Sequence, residues 1–171
     1  MTAPAANPPQ VVPMAKVLVC YFSRSGNTKR MAEEVAEGAK GAGAEVVLRP
    51  VKEVDPKAFR EFDAIIMGSP TYYGSMAAEC KALIDRSVVL HGKLDGRVGG
   101  AFTSSGGRAG GNETTVLDIL KAWLIHGMVV QGTSGEDHYG PVAVEGPDKD
   151  SLESCRAYGV RLVELAKRLR G

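Results

Sequence analysis

Cysteine is scarce in this chain, three residues and so an odd number. Cys20, Cys80 and Cys155 stand far apart, with no CxxC spacing. An odd, scattered set argues against a disulfide framework and against structural zinc, and it suggests a reducing compartment. The expectation is therefore a cytoplasmic protein with no metal. No apolar run approaches the roughly 18 residues of a membrane span. Charge of one sign is missing as well: Lys+Arg number 21 and Asp+Glu 20, a net +1. That excludes the broad basic field of a nucleic-acid binder. It also counts against a strongly acidic carrier steered towards basic partners. No GxxxxGK[ST] occurs, so lysine and magnesium chemistry on a nucleoside triphosphate has no motif here. GxGxxG is absent too, which weakens a dinucleotide-binding reading. The first strand ends at Ser23, where a phosphate-accepting receiver would need aspartate. Cys20 lies inside that strand, with only three residues between it and Arg24, which excludes a phosphatase loop with a cysteine nucleophile.

What remains is a chain of 171 residues, 44% hydrophobic and 24% charged, the size and balance of one soluble globular domain. Glycine is abundant at 21 residues, so loops carry weight. Residues 1–14 read as a flexible tail, with prolines at positions 4, 8, 9 and 13 and nothing to pack. The tail has neither the basic start nor the apolar stretch of a secretory signal. Residues 15–171 form the single expected domain.

From Lys16 the pattern is strand, loop, helix, repeated. Val17-Leu18-Val19-Cys20-Tyr21-Phe22 is continuously apolar, as expected of a strand buried on both faces. Thr28 to Lys40 carries a helical stripe at Met31, Val35 and Ala39. Strands are expected at 44–48, 63–68 and 98–103, and a helix at 76–85. Another helix over 114–125 is expected to bury Val116, Leu117, Leu120 and Leu124. A fifth strand opens at Met128 to Gln131, with Val142 to Val144 its expected continuation. A last helix from about Asp148 to Leu169 is expected to bury Leu152, Cys155, Gly159, Leu162, Ala166 and Leu169. Such alternation implies a parallel sheet with right-handed crossovers and helices on both faces, an α/β fold.

Ligands of such sheets sit beyond the carboxyl ends of the strands. After the first strand comes Ser23-Arg24-Ser25-Gly26-Asn27-Thr28, opening a helix. Small hydroxyls, an amide and a bend at glycine beside free N–H groups suit a phosphate; the plainer reading makes Thr28 a helix cap. After the third strand, Ser69-Pro70-Thr71-Tyr72-Tyr73-Gly74-Ser75 offers two aromatics for a flat ring. After the fourth, a run from Thr103 to Thr114 rich in glycine and hydroxyls lets backbone approach a ligand. A phosphate-bearing aromatic ligand satisfies all three loops.

The run VLVCYFSRSGNT resembles the first strand and phosphate loop of flavodoxin-like proteins. IIMGSPTYYGSMAAECKALID, FTSSGGRAGGNETT, HGMVV and HYGPVAV, in that order, resemble the WrbA branch of NAD(P)H:quinone oxidoreductases. The resemblance spans Lys16 to the C-terminus. It implies a flavodoxin-like three-layer sandwich with a five-stranded sheet of order 2-1-3-4-5, and noncovalent FMN. Ser23, Ser25, Gly26, Asn27 and Thr28 would hold the phosphate. Thr71, Tyr72, Tyr73 and Gly74 would flank the ring. Ser104, Ser105, Gly106, Gly107, Gly110 and Gly111 would form the third flavin loop. His126 matches a histidine that approaches the flavin in the assembled oligomer; taken alone, it reads as a helix C-terminal cap. No acid, base or nucleophile is assigned; Tyr73 and His126 are expected to shape the flavin face.

Three departures stand out. Only Arg49 to Phe62 bridges the gap where the family carries an insertion. Val88-Val89-Leu90 stands near the place of a family tryptophan, and Tyr72 replaces an arginine. The implied function is passage of two electrons from NADH or NADPH to a quinone in ping-pong fashion, by a homodimer or homotetramer with no nucleic-acid partner. The alternatives are a one-electron flavodoxin carrier and a flavoprotein with a mainly regulatory role.

Overall fold

The computed structural model describes residues 14–170. The expected tail lies outside this range apart from Met14, which is exposed and accepts a hydrogen bond from Arg170 at its carbonyl, 2.9 Å. The elements in chain order are β1 (Lys16–Tyr21), α1 (Asn27–Gly41), β2 (Glu45–Pro50), β3 (Ala64–Tyr72), β4 (Ser75–Met76) and α2 (Ala78–Arg86). β5 (Val98–Ser105), α3 (Asn112–Ile125), β6 (Val129–Val130), β7 (Val142–Val144) and α4 (Lys149–Leu169) follow. Short 3₁₀ turns cover Val51–Glu53, Pro56–Glu61 and Ser87–Leu90.

The sheet runs β2-β1-β3-β5-β6, with every one of these pairs parallel. β7 pairs with the far end of β5, Thr103 opposite Val142, while β6 pairs with its start, Val98 opposite Val129. The fifth strand is thus one edge position filled by two short pieces, and the order is the expected 2-1-3-4-5. β4 is an addition: it turns back antiparallel on the end of β3, Thr71 opposite Met76.

Alternation along each strand sends side chains to two separate cores. Val17, Val19, Ala64, Ile66 and Phe102 pack under α1 and α4, with Met31, Val35, Cys155 and Leu162. Leu18, Cys20, Ile65, Met67 and Ala101 pack under α2 and α3, with Phe59, Leu83, Ile119 and Trp123. Both faces of the sheet are covered, which is why its strands read as unbroken apolar runs. On the first face α1 and α4 cross at backbone contact: a Cβ on Gly38 would fall 2.0 Å from the Arg156 carbonyl, and one on Gly159 2.1 Å from that of Val35.

Two helical stripes differ from expectation. α3 buries Thr115, Val116, Ile119, Leu120 and Trp123, and leaves Leu124 exposed. The indole decides the rotation, because Trp123 donates 3.0 Å to the Gly100 carbonyl from a fully buried position. α4 buries Tyr158 and Val163 alongside Cys155, Gly159, Leu162 and Ala166, while Leu169 is exposed and Leu152 half-buried. Tyr158 is drawn in by a 3.0 Å bond from the Ala101 amide to its hydroxyl. No helix among the described residues is long and apolar enough to cross a membrane.

Candidate functional site

At the carboxyl edge of the sheet, β1, β3 and β5 end side by side and their loops enclose a cavity of about 660 Å³. Arg24, Ser25, Asn27 and Thr28 line it from the first loop. Pro70, Thr71 and Tyr72 line it from β3, and Ser104, Ser105, Gly106 and Glu145 from the far side.

The floor is cross-linked by hydroxyls. Thr28 is buried in the first turn of α1, and its Oγ1 lies 2.9 Å from Ser104 Oγ. Thr71 Oγ1 lies 3.0 Å from Thr103 Oγ1, which donates to the Ser69 carbonyl at 2.6 Å. The cap of α1 is Gly26, in the left-handed region at φ 92, with no side-chain capping bond and no acidic residue in the first turn. Thr28 is therefore not the cap. Ser23 Oγ accepts from the Gly26 amide at 3.1 Å and steadies the bend. By contrast, α4 closes its own start with a reciprocal Asp148–Ser151 capping box. The start of α1 keeps its amides open towards the cavity, with Arg24 beside them. Uncommitted amides at a helix start, hydroxyls and one cation are the donor set that a phosphate takes. The residues fit the phosphate end of FMN. Space at Gly26 is not the constraint, since nothing lies within 4 Å of a Cβ there; its positive φ is what excludes other residues.

Over the cavity stands the hairpin of β3 and β4. Its two turn residues, Tyr73 (φ 48) and Gly74 (φ 79), both have positive φ, the pattern of a type I′ turn. Tyrosine is a poor choice for that backbone, yet its side chain is fully exposed. Strain of this kind collects at binding sites. The tip is tied to α3. Thr114 Oγ1 donates to the Gly74 carbonyl at 2.7 Å, Ser75 Oγ donates to Asp118 Oδ2 at 2.6 Å, and a Cβ on Gly111 would lie 2.4 Å from Gly74 Cα.

Of the expected residues, Ser25, Asn27, Thr28, Thr71, Tyr72, Ser104, Ser105 and Gly106 line this cavity together. Ser23 and Gly26 form the back of the same loop and face a neighbouring cavity. Tyr73 and Gly74 are the hairpin tip. Gly107, Gly110 and Gly111 lead into α3 without lining the cavity; Gly111 caps that helix. His126 is not at this site in its own chain. It caps the far end of α3, near the start of β5, buried, with Nε2 2.7 Å from Ser87 Oγ and Nδ1 without a partner. Burial, and secondarily His91, pushes its pKa below the ordinary value. Arg24, Pro70 and Glu145 are lining residues that the motifs did not assign. Glu145 follows β7 at φ 61, so the rule of inspecting each strand's carboxyl end, applied to the second half of the fifth strand, finds it. Cys20 is fully buried and its thiol pKa is driven up by desolvation, which removes it as a nucleophile.

A flavodoxin-domain family model matches residues 18–121. An NAD(P)H dehydrogenase (quinone) of Sinorhizobium fredii is 36% identical over 197 aligned positions, covering 91% of this chain and 99% of that protein. A flavodoxin of Aquifex aeolicus is 41% identical over 160 positions, covering 88% of this chain and 86% of that protein. The crystal structure of a flavodoxin, WrbA-like protein from Agrobacterium tumefaciens superposes with a TM-score of 0.77 at 29% identity, covering 90% of this chain and 98% of that one. Fold, strand order, cavity and relatives agree: this chain belongs to the flavodoxin-like family, which includes WrbA-like proteins and NAD(P)H dehydrogenases that act on quinones.

Proposed function

We propose that the protein is an FMN-dependent oxidoreductase that carries two electrons from NAD(P)H to a quinone. The observation that carries this reading is the open, uncapped start of α1 beside Arg24, set against an aromatic hairpin on the same cavity. Bound there, FMN supplies the redox chemistry, accepting a hydride equivalent and passing on two electrons. The chain's own part is to bind and to shape. Ser25, Asn27, Thr28 and the amides of α1 hold the phosphate. Thr71, Tyr72, Ser104, Ser105 and Gly106 would border the ring, with Tyr73 at the exposed hairpin tip beside it. Were one ring face left open there, nicotinamide and quinone would occupy it in turn, giving ping-pong kinetics.

The active form in this reading is a homo-oligomer. Val88, Val89, Leu124 and Ile125 are exposed apolar side chains on the two segments that the Ser87–His126 bond joins. A second copy covering them would place the end of α3, with the buried His126 just beneath it, at a subunit boundary beside a neighbour's flavin face. The test is steady-state oxidation of NADH and of NADPH by FMN-loaded protein, with and without a benzoquinone. Quinone-dependent turnover with parallel double-reciprocal lines is expected; its absence with both donors refutes the reading.

One observation favours a second reading. The Aquifex relative named flavodoxin has the higher identity, 41% against 36%. In that case the protein is a one-electron carrier, and quinone-dependent NAD(P)H oxidation is negligible without a reductase partner.

A further inference from the structure

Residues 131–141 interrupt the fifth strand, and between this loop and α4 lies a cavity of about 250 Å³. It shares no lining residue with the flavin cavity. Ser154, Ala157, Tyr158 and Arg161 line it from α4, at the i, i+3, i+4 and i+7 spacing of one helix face. The loop adds Thr133, Glu136 and Asp137. Bonds within the loop set its shape. The Thr133 amide donates to the His138 carbonyl at 3.1 Å, and the Gly135 amide to Thr133 Oγ1 at 3.2 Å. Arg161 is the anomaly. Its guanidinium stands over the buried Tyr158 ring, 5.0 Å from the centroid, and its Nε is buried without a partner. Among the described residues this side chain makes neither an ion pair nor a hydrogen bond. The Asp137 carboxylate is held elsewhere, since its Oδ2 accepts from Ser154 Oγ at 2.5 Å on a backbone at φ 54.

A buried N–H on a cation lacks its acceptor here, and the planar fork of arginine matches a carboxylate. A simple anion would meet Glu136 and Asp137 as well as Arg161, and a simple cation would meet Arg161. A dipolar ion satisfies both signs at once. We propose that this cavity binds the zwitterionic head of a free α-amino acid, its carboxylate on Arg161 and its ammonium on Asp137 and Glu136. Thr133 Oγ1 accepts from Gly135, which leaves its own proton free to donate to the same carboxylate. Pro141 and Ala157 supply a little apolar wall. At about 250 Å³ the cavity is smaller than the pockets that hold drug-sized ligands, so the side chain it takes is small and uncharged. The site stands apart from the flavin cavity and is independent of the redox reading.

The test is calorimetric titration of the full chain, flavin-free and FMN-loaded, with glycine, L-alanine, L-valine and L-leucine. At least one is expected to bind both forms with a Kd of about 1 mM or tighter. Its amide lacks the carboxylate and its N-acetyl derivative lacks the ammonium. Each is expected to bind at least about tenfold more weakly, the scale of one charge-assisted contact. Arg161→Gln and Asp137→Asn are expected to weaken the amino acid by at least the same factor and to leave FMN affinity unchanged. Arg161 makes no polar bond whose loss would unfold the protein, and asparagine accepts both the Ser154 bond and the positive φ. Arg161→Lys keeps the charge without the fork, and its affinity is expected to fall between. Failure of all four amino acids to bind overturns the assignment. So does equal binding of the N-acetyl derivative, which marks a plain anion site, or of the amide, which marks a plain cation site. Binding indifferent to both Arg161→Gln and Asp137→Asn, or in competition with FMN, overturns it too, because the ligand would then sit elsewhere.

Discussion

Replacing Tyr73 by asparagine separates what the hairpin tip does for folding from what it does for the flavin. Tyr73 sits at φ 48 in a two-residue turn with Gly74 at φ 79. Its ring is exposed, so no packing is lost on removing it. A left-handed backbone costs an ordinary residue about 1–2 kcal/mol, and asparagine tolerates it better because its short side chain bonds locally. Asparagine followed by glycine is also the favoured pair for this turn. Tyr73→Asn is therefore expected to stabilise the flavin-free protein by about 1 kcal/mol, or about 2–4 °C in Tm for a domain this size. Flavin affinity should move the other way. Stacking of a flat heterocycle on an aromatic side chain contributes about 1–3 kcal/mol, so Kd for FMN should rise about 5- to 150-fold. Thermal unfolding of the apoprotein and quenching of FMN fluorescence measure the two effects on one sample. A lower apoprotein Tm, or an unchanged FMN affinity, refutes the assignment of the tip as a strained ring-side wall.

Other substitutions probe the rest of the site. Gly111→Ala meets Gly74 Cα at 2.4 Å and a φ of 95, so it should destabilise the protein by about 2 kcal/mol or more in urea and loosen FMN as the hairpin lifts from α3. FMN should bind at least about 100-fold more tightly than riboflavin, given about 1.5–3 kcal/mol per hydrogen bond to a charged group; equal affinities would sink the phosphate assignment. Gly26→Ala should erode that selectivity through backbone strain alone, because the space around it is open. The depressed pKa of His126 makes the unfolded chain bind more protons than the folded one near and below its ordinary value of about 6.5, so stability should decline as pH falls through that range. His126→Gln should flatten that part of the urea midpoint profile; an unaltered slope would show that the imidazole is not the group responsible.

The sheet was legible in the sequence because strands covered on both faces must be apolar throughout, and the loops that border the cavity followed from where such strands stop. The hairpin was not. β4 is only two residues long, and Tyr-Gly is a weak turn signal compared with Asn-Gly. The stripe of α3 was misread because Leu117, Trp123, Leu124 and Ile125 leave the helix apolar on several sides, and only the Trp123 bond to Gly100 selects the rotation. His126 shows a further limit. Its position in the chain marks a helix end, but the 14 residues of α3 carry it to the opposite edge of the sheet from the hairpin, about 20 Å away. Arg24 and Glu145 escaped assignment because charged side chains at loop ends look the same in sequence whether they face a cavity or open water.

The crossing of α1 and α4 at Gly38 and Gly159 turns α1 into a lever. Its far arm is clamped backbone to backbone, with no side chain between to act as a cushion, and its near arm ends in the phosphate loop about 16 Å away. A methyl group added at Gly38 must tilt the rod about this fulcrum, because the Arg156 carbonyl that it meets is fixed within a 21-residue helix. The aim of the amides at the other end then shifts with it. Two glycines remote from the cavity thereby set the angle at which the start of α1 faces it, and on the proposed reading drift at either would register first as a change in FMN retention.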